Sequence, residues 1–289
     1  MVPLQLHQNI NLLLLLIVGS FVANIYLGWV DIVSILIFTL LIEHLFLYFN
    51  KQRTLYLSYS ALSTAVGVIV LMYSEHLWLY FFAIAVGLAQ KHFITIEGKH
   101  LFNPSNFSLI IILLFFYQDA HMVAGQLGDE VWLSLVVSLV AIIILIRVNR
   151  WIIPLAFLLC YLLLEYYLVV SYDPVLIFED IYHRLYAVTL ILFIYFMLTD
   201  PPVTPDHWMG QIFYALGIAL IATLLDRFFG YRVQHLFMAV FFLSPFVTLS
   251  KIEGDRLIQF KRLGIILLGV IAILTYIEMQ APYYFEMNG

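Results

Sequence analysis

The run Leu139-Val140-Ala141-Ile142-Ile143-Ile144-Leu145-Ile146 is closed by Arg147, Asn149 and Arg150. Its residues do not alternate. A half-exposed strand alternates apolar and polar side chains, and so does a strand of an outer-membrane barrel over about ten residues. The run therefore reads as a helix whose own backbone satisfies its polar groups, as lipid requires. Leu12 to Val18 has the same character. Stretches of this kind recur at 10–28, 30–49, 57–73, 77–93, 104–117, 131–147, 151–171, 184–199, 208–228, 233–249 and 263–280.

The composition agrees with the periodicity. The chain has 289 residues, 64% of them apolar and 11% charged, with a mean hydropathy of +1.02. Soluble domains are about half apolar and about a quarter charged. Soluble enzymes and nucleic-acid-binding modules are excluded on that ground, so no nucleic-acid partner is expected. A span needs about 20 residues, and the eleven stretches leave no room for a separate soluble domain. The expectation is an all-α polytopic transmembrane bundle of ten or eleven spans. It forms one integral membrane domain over residues 1–289, with room for two related halves and discontinuous helices. Met1 to Gln8 lacks a basic region and the first stretch lacks a small-residue cleavage site, so a retained helix is expected there.

Basic residues test the segmentation. Loops after even-numbered spans hold Lys51, Arg53, Lys91, Lys99, Arg147, Arg150, Lys251, Arg256, Lys261 and Arg262. The other loops hold only Arg184, Arg227 and Arg232. The positive-inside rule places the first set in the cytoplasm and both termini outside. A bacterial inner-membrane, multi-pass protein is the expectation.

Two polar interruptions carry chemistry. The first is Lys99-His100-Leu101-Phe102-Asn103-Pro104-Ser105-Asn106-Phe107. Pro104 suits a first helical turn and Asn103 suits its cap. The stretch that follows is short, so this helix is expected to begin below the membrane surface. A buried helix N-terminus suits an anionic or carbonyl-bearing ligand; the other reading is an ordinary capped start. The second is Thr199-Asp200-Pro201-Pro202-Val203-Thr204-Pro205-Asp206-His207, where three prolines stop a helix. Asp200 abuts an apolar run. It is either partly buried, needing a partner or a proton, or a solvated residue of a rigid turn. Both breaks follow even-numbered spans, which puts them on one face. Paired breaks of this kind mark binding sites in membrane proteins, secondary transporters included.

Other ionisable groups fall inside spans. Glu165 lies mid-span and is a candidate proton or ion-pathway residue, or a protonated group bonded to a neighbouring helix. Asp226 and Arg227 read as a snorkelling pair, and Glu278 as reaching the interface. No metal site is expected, because Glu43-His44 and Glu75-His76 lack a second ligand at helical spacing. Nine histidines leave a haem b reductase open as an alternative, although most histidines read as interfacial or capping. Cys160 is the sole cysteine, which excludes an iron–sulfur cluster held by this chain alone.

The segments His100–Phe107 and Leu198–Pro205 resemble, in order, the "H-x-F-N-P-A/S" and "T-D-P" motifs of a bacterial membrane family. That family contains the membrane flavoprotein RnfD of the Rnf electron-transport complex and its counterpart in the sodium-translocating NADH:quinone reductase. The resemblance implies an electron-transfer component of a redox complex, cation-coupled in some members, that binds flavin within its helices. It implies cofactor contacts at Lys99, His100, Phe102, Asn103, Pro104, Asn106, Asp200, Pro201 and Thr204. It further implies a cytoplasmic NAD(P)H- or ferredoxin-linked reductase subunit as donor and an extracytoplasmic flavinylated domain or quinone as acceptor. Respiratory members carry FMN on a Thr in the loop after the Asn-Pro helix. Here that loop, residues 118–130, has no Ser or Thr. Non-covalent FMN or riboflavin is therefore the expected cofactor. The Pro-Pro variant of the second motif is closer to relatives associated with enediyne biosynthesis. A non-redox transporter is the remaining alternative.

Overall fold

The computed structural model describes residue 16 and residues 25–50, 58–123, 131–172, 176–252 and 256–281. Within these the protein is an all-α bundle. Helices α1 (Trp29–Phe49), α2 (Tyr59–Leu71), α3 (Leu77–Phe93), α4 (Pro104–Phe115) and α5 (Val131–Arg147) come first. Next are α6 (Ile152–Glu165), α7 (Phe178–Tyr186), α8 (Val188–Leu192), α9 (Trp208–Phe229), α10 (Gln234–Ser250) and α11 (Arg256–Gln280). The helix of α6 runs on as a π turn over Tyr166–Val170, and that of α8 over Phe193–Met197. Four helical segments are long and apolar enough to cross a bilayer: Trp29–Phe49, Ile152–Val170, Trp208–Phe229 and Ile258–Gln280. The protein is multi-pass. The expected first span, 10–28, lies almost wholly outside the described residues.

The remaining stretches agree with the observed helices, with two differences. The stretch expected at 184–199 is two helices meeting at Ala187. Glu179, Asp180, His183 and Arg184 make α7 amphipathic, which hides it from a hydropathy reading. The last helix begins at Arg256 and not at 263. It is an integral part of the bundle: Ile277 is buried, and the Gln280 side chain donates to the Leu114 carbonyl at 3.1 Å.

Side-chain contacts sort the loops into two ends. Lys99 bonds the Lys251 carbonyl, Lys251 bonds the Pro201 carbonyl, and Arg150 pairs with Asp206. The loops carrying those residues therefore share one end, the basic one. At the other end Tyr117 meets Gln234, and Arg184 meets Asp226. Two short antiparallel ladders decorate the ends, β1 (Met72–Tyr73) with β4 (His121–Met122) and β2 (Thr95–Ile96) with β3 (Lys99–His100). The latter hairpin turns through Glu97 and Gly98, both at positive φ (50° and 75°), as a two-residue turn matched to strand twist requires.

The start of α4 is set by close packing. A Cβ on Gly87 of α3 would stand 2.6 Å from the Pro104 carbonyl oxygen and 2.1 Å from Ser108 Oγ. Only a glycine lets α3 come this close. Ser108 Oγ reaches the Ala83 carbonyl at 2.6 Å and the Pro104 carbonyl at 3.0 Å. With twelve residues, α4 spans only about 18 Å, well short of a bilayer's apolar thickness of about 30 Å.

Candidate functional site

The two polar breaks meet. Asn103 Nδ2 donates to Asp200 Oδ2 at 2.8 Å, across 97 residues of chain. Asn103 also caps α4, its Oδ1 accepting from the Asn106 N–H at 3.1 Å, with Pro104 at the first helical position. Asn103 is 8% exposed and Asn106 is fully buried, so the helix start lies inside the protein. The same-face expectation holds, and the cap and the inter-break contact share one side chain.

The local hydrogen bonds revise the expected use of this helix N-terminus. Pro104 has no N–H. The N–H groups of Asn106 and Phe107 go to the Asn103 side chain and carbonyl. The donors for a ligand must therefore come mainly from side chains.

Other expected site residues divide into two groups. Asn106 Nδ2 bonds the Phe237 carbonyl at 3.1 Å, but its buried Oδ1 has no partner. His100 bonds the Phe102 carbonyl through Nδ1 at 2.9 Å and faces Asp200 electrostatically. Phe102 stacks on Phe241, ring centroids 4.4 Å apart. By contrast Thr204 is fully committed. Its hydroxyl donates to the Asp200 carbonyl and accepts from Arg150 Nε, both at 3.0 Å. Lys99 reaches the Lys251 carbonyl at 2.6 Å, and the Pro201 carbonyl accepts from Lys251 Nζ at 2.9 Å. These three residues hold the turn in place.

The turn's lack of its own basic residues thus has a reason. Arg150 and Lys251 come from neighbouring loops and both reach Asp206. In sequence they register only as loop charges. Burial alone would raise the Asp206 carboxyl, but Lys251 and Arg150 outweigh it and hold it below its ordinary 3.8. This clasp contributes stability above the unfolded value and loses it as pH falls through the lowered one. Asp206→Asn is expected to lower the melting temperature slightly at neutral pH. The difference from wild type should shrink as pH falls below 3.8 and vanish only once pH is below the lowered value; a difference that persists in stronger acid would contradict the assignment. Burial pushes the Asp200 carboxyl up, against the pull of His100, Asn103 and Lys251.

Residues the sequence did not single out complete the site. Tyr214 of α9 faces Asp200 electrostatically, and its buried hydroxyl has no partner. Gln211, one turn earlier, bonds the Asn149 carbonyl at 3.0 Å and leaves Oε1 unpaired. Gln90 is 1% exposed with neither amide atom paired. It follows Gly87 by three residues, on the face of α3 turned to Pro104. Buried polar atoms are nearly always satisfied. The unpaired Asn106 Oδ1 and Tyr214 hydroxyl, one beside each break, fit a ligand with both kinds of group along its edge, and Gln211 and Gln90 add unpaired atoms on the flanking helices.

At the opposite end the structure overturns two expectations. Asp226 does not snorkel with Arg227. It is 2% exposed and accepts from His235 Nδ1 at 2.6 Å, the Arg232 N–H at 2.8 Å and Arg184 at 3.3 Å. Arg227 turns away to the Leu168 carbonyl and the Tyr172 ring. Glu278 is likewise buried, bonded to His235 Nε2, Gln234 and Arg232. Hydropathy cannot reveal this, because residues near helix ends look alike whether they face water or a neighbouring helix. Glu165 is fully buried beside this network, with neither oxygen paired.

Comparison with known proteins agrees with the motifs in part. A search of curated proteins finds no match to the chain. A family model matches residues 115–252, just under half of the chain. The matched segment contains Glu165 and the Asp200 break but begins after the Asn103 segment. Over that segment the chain resembles the NQR2, RnfD, RnfE family.

Proposed function

We propose that the protein is a transmembrane electron-transfer component of a redox complex that holds a non-covalent flavin, FMN or riboflavin, where the two breaks meet. The Asn103–Asp200 hydrogen bond carries this reading, because it joins the two motifs around buried polar atoms that lack partners. The residues suit a flavin ring, whose pyrimidine edge has both acceptors and a donor. Asn106, Tyr214, Gln211 and Gln90 would meet that edge, and Asn103 with Asp200 would fix its position. The bound flavin supplies the electron chemistry, while the chain sets its place and potential. Phe102, Phe241 and the close α3–α4 packing exclude water from one side. The chain lacks a dinucleotide-binding fingerprint. Electrons therefore come from a cytoplasmic NAD(P)H- or ferredoxin-linked partner and leave to an extracytoplasmic flavinylated domain or quinone. The setting is a bacterial inner membrane.

The test is mass spectrometry of cofactor released from the purified protein. Wild type is expected to release FMN or riboflavin. Asn103→Ala and Asp200→Ala should each retain about tenfold less per chain, since a hydrogen bond to a charged group is worth about 1.5–3 kcal/mol. Thr204→Ala should have a smaller effect, acting through the turn. Full flavin content in both variants would remove the site assignment, and a haem Soret band in place of flavin absorption would remove the function.

A further inference from the structure

The end opposite the basic loops holds a buried ionic network that electron transfer at the Asn103–Asp200 site does not use. Arg184 bonds Tyr161 Oη at 3.0 Å and Asp226 at 3.3 Å, and its guanidinium lies 3.3 Å over the Tyr231 ring. His235 is held between two carboxylates, Asp226 at 2.6 Å on Nδ1 and Glu278 at 3.2 Å on Nε2. Only an imidazolium donates to both. Asp226 then pairs with Arg184 and His235, and Glu278 with His235 and Arg232. One carboxyl remains, Glu165.

Glu165 differs from the others. Its side chain is fully buried, it lies against Asp226 and Thr223, and neither of its oxygens has a hydrogen-bond partner of full geometry. The buried Thr223 hydroxyl also lacks one. The groups that face Glu165 are Tyr161 on its own helix, Arg184 of α7, Thr223 and Asp226 of α9, and Tyr231 of the following loop. The only cation among them is already bound to Asp226 and Tyr161. An ionised carboxylate without a donor is strongly disfavoured in such a place, whereas a protonated one is a neutral polar group.

We propose that Glu165 stores an exchangeable proton at this end of the bundle, with Asp226, His235 and Glu278 as its route to the surface. On release the Glu165 O–H bond breaks, and the carboxylate is left facing the Arg184 guanidinium. The proton passes toward Asp226 and leaves by way of His235 and Glu278 to water; uptake reverses this, and no electron moves. Glu278 ends the route, because its second oxygen meets the partly exposed Arg232 at 3.4 Å.

Infrared difference spectroscopy of the full-length protein in lipid nanodiscs tests this without reference to any cofactor. A protonated-carboxyl C=O band is expected at neutral pH, shifting in D2O. Glu165→Gln should abolish it and still fold, because Gln mimics the neutral acid. His235→Gln should keep the band but slow its deuteration several-fold. Wild-type protein grown with carboxyl-labelled glutamate assigns the band to a Glu even where a variant fails to fold. Absence of a protonated glutamate band would overturn the proposal. So would a band that sodium chloride abolishes at constant pH, which would mark a cation site.

Discussion

Arg184→Met is expected to cost about 3–5 kcal/mol, the usual penalty for stripping one partner from a buried ion pair. Side-chain exposure is 7% for Arg184 and nil for Asp226, so water cannot replace the lost guanidinium. The Tyr161 hydroxyl loses its partner at the same step. Asp226 keeps His235 and the Arg232 N–H, which places the effect toward the lower end of the range. Thermal unfolding in detergent should show a large fall in the melting temperature. Arg184→Lys keeps the charge but not the planar guanidinium that lies over the Tyr231 ring while one of its nitrogens reaches Tyr161 and Asp226, so an intermediate loss is expected. Adding Asp226→Asn to Arg184→Met should restore part of the stability by removing a buried charge that has lost one of its two cationic partners. A single variant that melts within error of wild type would show that the network does not hold α6, α7 and α9 together.

Gly87→Val is expected to prevent folding or to leave a protein without its site. The first added carbon alone would stand 2.6 Å from the Pro104 carbonyl oxygen, a backbone atom that cannot rotate away. It would also displace Ser108 Oγ, which bonds both the Ala83 and Pro104 carbonyls. Overpacking of this kind costs about 1–3 kcal/mol for modest insertions and more for rigid neighbours. The site should fail before the fold does in Gly87→Ala, because moving Pro104 moves Asn103 off Asp200. Gly269→Ala is the control. Its Cβ would enter open space on α11, so the helix propensity of alanine should leave stability unchanged or raised by up to about 1 kcal/mol. Equal behaviour of the two alanine variants in melting and cofactor content would refute the close-approach argument.

Much of the site was legible as separate halves. Asn103 and Pro104 announce a helix start through capping chemistry that depends only on neighbouring residues. Asp200 announces a buried carboxylate through the apolar run before it and the prolines after it. The loop charges put both on one face. Their hydrogen bond was not legible, because it depends on where α4 and the end of the α8 segment lie relative to each other. Thr204 shows the converse. Its position beside Asp200 suggested a ligand contact, but its hydroxyl is used by Arg150 from a loop 54 residues away. Gln90, Gln211 and Tyr214 carry no sequence signal at all. An amide or hydroxyl within a helix is informative only once its buried atoms are found without partners.

By itself the sequence determined a membrane bundle, most of its helix positions and the cap at Asn103. These follow from local physics: apolar runs enter lipid, lipid demands helices, and proline with a capping side chain starts them. Tertiary structure alone decided which ends meet. It turned Asp226 and Glu278 inward onto His235, took Thr204 for the turn, and left Glu165 without a donor. Burial of a polar group near a helix end depends on the neighbouring helix, and hydropathy along the chain does not encode which neighbour that is.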